Sequence, residues 1–154
     1  MKHATLLLLS LFALPAAADG NRLPAQVNAA WKDECSSCHV AYPPSLLSAD
    51  NWRQMMAGLD RHFGANAQLD PKTRNEILAF LEANAARKQT KQSATLRITD
   101  TPWFAREHDE VPAALWKDAR VKSPANCGAC HQDAERGDYG ERNIVLPGYG
   151  RRVE

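Results

Sequence analysis

All four cysteines of the chain fall in two copies of one short pattern, "CSSCH" at 35–39 and "CGACH" at 127–131. Paired cysteines at this spacing serve zinc, a redox disulfide or haem, and each use asks something different of the neighbouring residues. Two Cys-x-x-Cys pairs can make a four-thiolate zinc site, but zinc has no need of a histidine directly after each second cysteine. A thioredoxin-like disulfide opens a helix after a strand, and no strand pattern precedes either pair. Two structural disulfides would close very short loops, constrain little chain and leave the histidines unexplained. Cys-x-x-Cys-His is the attachment signal for c-type haem. Cysteines three apart on one turn can each form a thioether to a haem vinyl group, and the next residue then sets its imidazole beneath the iron. The two copies point to two covalently attached haems. Cys35, Cys38, Cys127 and Cys130 are the tethers, and His39 and His131 the proximal iron ligands.

Beyond the N-terminal stretch two further histidines remain, His62 and His108, one for each haem. His62 follows Leu59 by three residues and Met55 by seven, and so lies on the apolar stripe of the helix predicted around it. His108 follows Phe104 by four, again on an apolar face. A histidine in such a place is ordinarily a packed residue, but two haems need two sixth ligands and the count of spares matches. His62 follows His39 by 23 residues and His108 precedes His131 by 23, whereas crossed partners would be 69 apart. Threefold longer closure costs only about 1 kcal/mol more, so the spacing favours local pairs and leaves the crossed arrangement open. Met55 and Met56 are the rival sixth ligands for the first haem, and the choice matters because a thioether raises haem potential relative to a second imidazole.

The elements that must position these groups read as helices. Residues 23–38 carry Val27, Ala30 and Trp31 on one face, and Tyr42-Pro43-Pro44 ends that run in an extended turn. Asp50 is a candidate N-cap for a helix over 51–63, with Trp52, Met55, Met56, Leu59 and Phe63 as its stripe and Gly64 as its stop. Asp70-Pro71 opens the strongest helix, through about Lys88, with Ile77, Phe80, Leu81 and Asn84 inward. Residues 87–101 are polar and without a stripe, a linker in character. Thr101-Pro102 repeats the cap-then-proline signal ahead of a helix bearing Trp103, Phe104 and His108. A short helix is predicted from Cys127 to Arg136 with Gly137 as its stop, and the tail from Glu141 reads as loop. Trp52, Phe63, Phe80, Trp103, Phe104 and Trp116 are candidate haem walls and core. No run alternates with period two, so the predicted fold is mainly α.

The N-terminus carries Lys2, an apolar run "TLLLLSLFAL" and an Ala16-Ala17-Ala18 cleavage site, the pattern of a secretory signal peptide. Cleavage after Ala18 leaves 136 of the 154 residues, with 18 basic residues against 18 acidic ones once Lys2 is gone. A near-neutral chain lacks the concentrated basic surface of a nucleic-acid binder, and no later segment is long and apolar enough to span a membrane. Local patches such as the arginine pair Arg151-Arg152 could orient a partner. The mature chain divides into an N-terminal haem lobe at 19–88, a linker at 89–100 and a C-terminal haem lobe at 101–154.

The segments "ECSSCHVAYPPSLL", "WRQMMAGLDRHFG", "LDPKTRNEILAFLEANA", "RITDTPWFAREH" and "NCGACHQDAERGDYGE" resemble the exported diheme cytochrome c family across most of the mature sequence. The resemblance implies a first lobe similar to class I cytochromes c, a second, irregular helical lobe, and bis-histidine ligation by His39, His62, His108 and His131. It also implies a periplasmic, low-potential electron carrier. Its implied redox partners are a small oxygen-binding c-type cytochrome and a membrane b-type cytochrome. With all four histidines on iron no position stays open to a substrate, so the chain reads as an electron-transfer protein and not an enzyme. The competing readings are a diheme subunit of a periplasmic reductase, and a haem enzyme or gas-binding protein with one open iron position.

Overall fold

The computed structural model describes residues 23–87 and 95–151. The predicted signal peptide, Arg152 and the first part of the predicted linker lie outside these residues. Four α-helices, α1 (Ala29–Cys35), α2 (Ala49–Ala57), α3 (Pro71–Ala83) and α4 (Pro102–Glu107), are joined by loops and single 3-10 turns. A short antiparallel pair, β1 (Val145–Leu146) with β2 (Gly150–Arg151), closes the described chain. The fold is mainly helical, as the patterning predicts.

The helices of the first region are set by their caps. Asn28 accepts the Trp31 amide at 2.7 Å, so α1 begins six residues later than the apolar face suggests. Val27 stays outside the helix and is 45% exposed. The Ser36 hydroxyl turns back onto the Lys32 carbonyl at 2.5 Å at its end. Ser48 caps α2 by accepting the Asn51 amide, and Asp50, the predicted cap, instead sits in the first turn, where its charge favours the helix dipole. The predicted α2 runs to Phe63, but the helix ends at Ala57, with Gly58 as C-cap and a 3-10 turn over Leu59–Arg61. Asp70 accepts the amides of Lys72 and Thr73 with Pro71 at the first helical position, and α3 stops at Ala83, short of the predicted Lys88. This helix packs against α1 and α2. The core beneath them joins Trp31, Leu47, Trp52, Met55, Met56, Ile77 and Leu81, and Ile98 from the end of the predicted linker belongs to it as well.

The second region has one short helix. Thr101 accepts the Phe104 amide at 3.2 Å and donates to the Ile98 carbonyl at 2.7 Å, fixing the start of α4. The predicted helix from Cys127 to Arg136 is broken into two 3-10 turns, Cys127–Ala129 and Ala134–Arg136, and the C-terminal hairpin replaces part of the predicted loop. Gly137 does stop the second turn, with φ of +73°. It has a further reason to lack a side chain: a β-carbon there would stand 2.2 Å from Leu23 Cγ. That contact, the Lys32 ammonium on the Glu135 carbonyl at 2.6 Å and the Tyr42 hydroxyl on the Ala125 carbonyl at 2.7 Å tie the two regions together.

Candidate functional site

The first Cys-x-x-Cys-His segment leaves the end of α1, with Cys35 closing the helix and Cys38 exposed beyond it. His39 Nδ1 lies 2.7 Å from the Val40 carbonyl. A carbonyl can only accept, so Nδ1 carries the proton and Nε2 keeps its lone pair for a metal. His62 faces it, with ring centres 6.2 Å apart and ring planes 23° from parallel. His62, predicted on a helix, instead opens a tight turn in which its carbonyl accepts the Ala65 amide at 3.0 Å. Both central residues of that turn are left-handed, Phe63 at φ +49° and Gly64 at +99°. The pairing of signs is that of a type I′ turn, where glycine is at ease and phenylalanine is strained. Phe63 is held there by its contact with His62 at 5.0 Å and by the Arg97 guanidinium over its outer face at 4.2 Å. It is 46% exposed and lies outside the polypeptide core. Met55 and Met56 are buried in the apolar cluster with Trp31 and Ile77.

The second segment begins on a 3-10 turn at Cys127, whose carbonyl accepts the His131 amide at 2.9 Å. His131 faces His108, with ring centres 6.1 Å apart and planes at 76°. His108 caps the C-terminus of α4, where its Nδ1 donates to the orphan Phe104 carbonyl at 2.9 Å and so frees Nε2. Phe104 stacks on its ring at 4.0 Å and Trp116 stands 5.9 Å away. A cavity of about 500 Å³ opens between these groups, lined by Phe104, His108, Trp116, Cys127, His131 and Tyr139. A smaller cleft of about 360 Å³ beside Ser45 and Asn84 contains no cysteine or histidine.

Electrostatics favour neutral groups at both places. Burial, then the neighbouring His39 and Arg97, push the His62 pKa down. Burial and His108 do the same for His131, against the opposing Asp138 carboxylate and Tyr139 carbonyl. Burial raises the thiols of Cys35 and Cys127 to about 11, with Glu34 adding to the first and Cys130 to the second. Among the described residues no three His, Cys, Asp or Glu side chains gather as a bare-ion site.

The residues fit two haems. An iron held between two imidazoles, with metal–nitrogen bonds of about 2.0 Å, would set their ring centres about 6 Å apart. Both pairs stand at that separation, each beside its own cysteine pair. The geometry brings together the locally spaced partners, and the crossed pairs do not meet in these ring contacts. Sequence periodicity gave no sign of the turn that carries His62, although Gly58 marks where the helix ends.

The profile of a family described as dihaem cytochrome c matches residues 31–139. Among solved structures, the chain is similar to a diheme cytochrome type c from Shewanella baltica OS155, at 42% identity and TM-score 0.72, covering 80% of this chain and 96% of that one. It is similar to the diheme cytochrome c of Rhodobacter sphaeroides in two structures. One, at 43% identity and TM-score 0.66, covers 74% of this chain and 98% of the other. The second, at 41% identity and the same TM-score, covers 73% and 96%. No curated protein sequence matches. With twin attachment motifs, twin imidazole pairs and this match over most of its length, the chain belongs to the dihaem cytochrome c family and carries two covalently bound c-type haems.

Proposed function

We propose that this chain is an exported electron carrier whose irons are each held between two imidazoles, His39 with His62 and His131 with His108, and that it passes electrons between redox proteins. The observation that carries the reading is the matched spacing of the two pairs, 6.2 and 6.1 Å between ring centres. The bound haems supply reversible one-electron iron chemistry. The chain does the rest. Cys35, Cys38, Cys127 and Cys130 tether the groups. The Val40 and Phe104 carbonyls hold the imidazoles of His39 and His108 in one tautomer and orientation. Burial keeps His62 and His131 neutral and able to ligate. Phe104, Trp116 and the core around Trp52 exclude water.

An imidazole on each face leaves no iron position for a substrate, which favours a carrier over a haem enzyme or gas-binding protein. Two imidazoles also favour ferric iron compared with His/Met ligation, so both potentials are low. In this reading residues 1–18 direct export to the periplasm, and 19–88 and 101–154 form one haem lobe each, joined by 89–100. Among the described residues no helix is long and apolar enough to cross a membrane. The partners suggested by resemblance are a small oxygen-binding c-type cytochrome, which a low-potential carrier is suited to reduce, and a membrane b-type cytochrome.

Carbon monoxide tests the ligation. The reduced protein should bind none, and His62→Ala should bind it at one haem only, leaving the other low-spin. Uptake by the unaltered protein overturns the carrier reading. A low-spin first haem in His62→Ala would move the sixth ligand to Met55 or Met56.

A further inference from the structure

Tyr42 belongs to both sites. Its ring stacks on the His39 imidazole, with centres 4.5 Å apart and planes 17° from parallel. Its hydroxyl donates to the Ala125 carbonyl, 83 residues further along the chain, at 2.7 Å. The same carbonyl oxygen lies 3.8 Å from Cys127 Sγ, the first tether of the second haem. Tyr42 also lines the cavity in front of His131. One side chain and one carbonyl oxygen therefore connect the proximal ligand of the first haem to the tether of the second.

The surroundings hold this arrangement still. A residue before proline is confined to extended backbone, and Tyr42 is followed by two prolines, both among the most fully buried residues. The carbonyl of Pro44 accepts the Trp52 indole N–H at 2.7 Å inside the core. On the other side Val40 lies against the second motif, 3.9 Å from where a side chain on Gly128 would begin. The two attachment segments thus meet through Val40, Tyr42, Ala125 and Gly128, next to the proximal His39 and the tether Cys127.

We propose that Tyr42 is the positioning residue that couples the two haem sites, its stacked ring and its hydroxyl bond to Ala125 forming the main route of electron exchange between them. The exchange is balanced within the protein: one electron leaves the ferrous site and arrives at the ferric one, no bond forms or breaks, and Tyr42 keeps its proton. The inference rests on the electron-carrier reading.

The test uses half-reduced holoprotein and measures the rate of electron exchange between the haems, by NMR exchange broadening or by flash photoreduction. Tyr42→Phe keeps the ring and loses the hydroxyl bond. It should slow exchange while leaving both haems six-coordinate and low-spin. Tyr42→Leu loses the stack as well and should slow exchange further. Lys32→Ala removes a different tie between the regions, the bond to the Glu135 carbonyl, and should leave the rate unchanged. An unaltered rate in Tyr42→Phe, or equal slowing in Lys32→Ala, overturns the proposal. Carbon monoxide binding by the unaltered protein would instead be a failure of the carrier reading, and the two outcomes are read independently.

Discussion

From Trp31 to Ile98 the buried side chains make one continuous apolar cluster under three capped helices. From Thr101 to Leu146 the buried apolar residues are Phe104, Leu115, Val121 and Ala134, and the first three of them line a cavity. The same five-residue motif therefore sits in two different settings. In the first it is attached to the edge of a core that the polypeptide supplies. In the second the attached group is itself the core, which is how a short segment with one two-turn helix can hold a fixed shape.

The largest effect that follows is on the cysteines. Replacing Cys127 and Cys130 by serine should abolish fixed structure over 101–151, read as protease cleavage confined to that region and loss of its protection in hydrogen exchange. Replacing Cys35 and Cys38 should leave α1, α2 and α3 largely protected. Equal losses from the two double variants would break the comparison. Next in size is the core itself. Leu81 is 1% exposed between the helices, and Leu81→Ala should cost about 3 kcal/mol, seen in thermal unfolding of the holoprotein. Thr101→Ala removes the cap of α4 and should cost about 1 kcal/mol, with any spectral change confined to the second haem.

A spectroscopic contrast sharpens the comparison without altering the protein. Imidazole planes 23° apart at the first site and 76° apart at the second should give two distinguishable ferric low-spin signals in electron paramagnetic resonance. The first should be rhombic and the second strongly anisotropic with a large maximum g-value. Two identical rhombic signals would contradict the second geometry. The smallest effect concerns acid. Asp70, at the start of α3, has its carboxyl held below its ordinary pKa of 3.8 by the Thr73 side chain and amide, with help from Lys72. A depressed folded-state pKa contributes stability that is present above the unfolded value and lost as pH falls through the folded one. Asp70→Asn keeps an acceptor without the charge, so its unfolding temperature should fall less steeply between about pH 5 and pH 2 than that of the unaltered protein.

What could be read in the residues follows the strength of local signals. Asp70-Pro71 and Thr101-Pro102 each pair a side-chain acceptor with a ring already set for the first helical turn, and both open helices. The attachment motifs are legible because their chemistry demands adjacent residues. His62 was harder to place, since the apolar period of α2 runs on through Leu59 after the backbone has left the helix at Gly58. Hydrophobic spacing reports a face and is blind to a change from α to 3-10 winding along it. The choice of Ser48 over Asp50 as cap turned on which side chain reaches a free amide, and both residue types qualify. Residues 95–100 look polar as a whole, yet Ile98 reaches the first core and Arg97 covers Phe63. Tertiary contacts of this kind leave no period to read.

The seat of Leu23 against Gly137 carries a consequence in time. A polypeptide emerges from its N-terminus at a finite pace, and early segments begin to fold before late ones exist. Leu23 stands at the beginning of the described chain, but its resting place is made only when the turn after His131 has formed. Until then α1 rests only on α3, through Trp31 and the Asn28–Glu76 bond, while Leu23 ahead of it has no seat. Completion of the turn after the second attachment segment then pins the leading residue of the first region. The order of the two motifs along the chain is thereby also an order in which contacts close, the early core first and its N-terminal edge last.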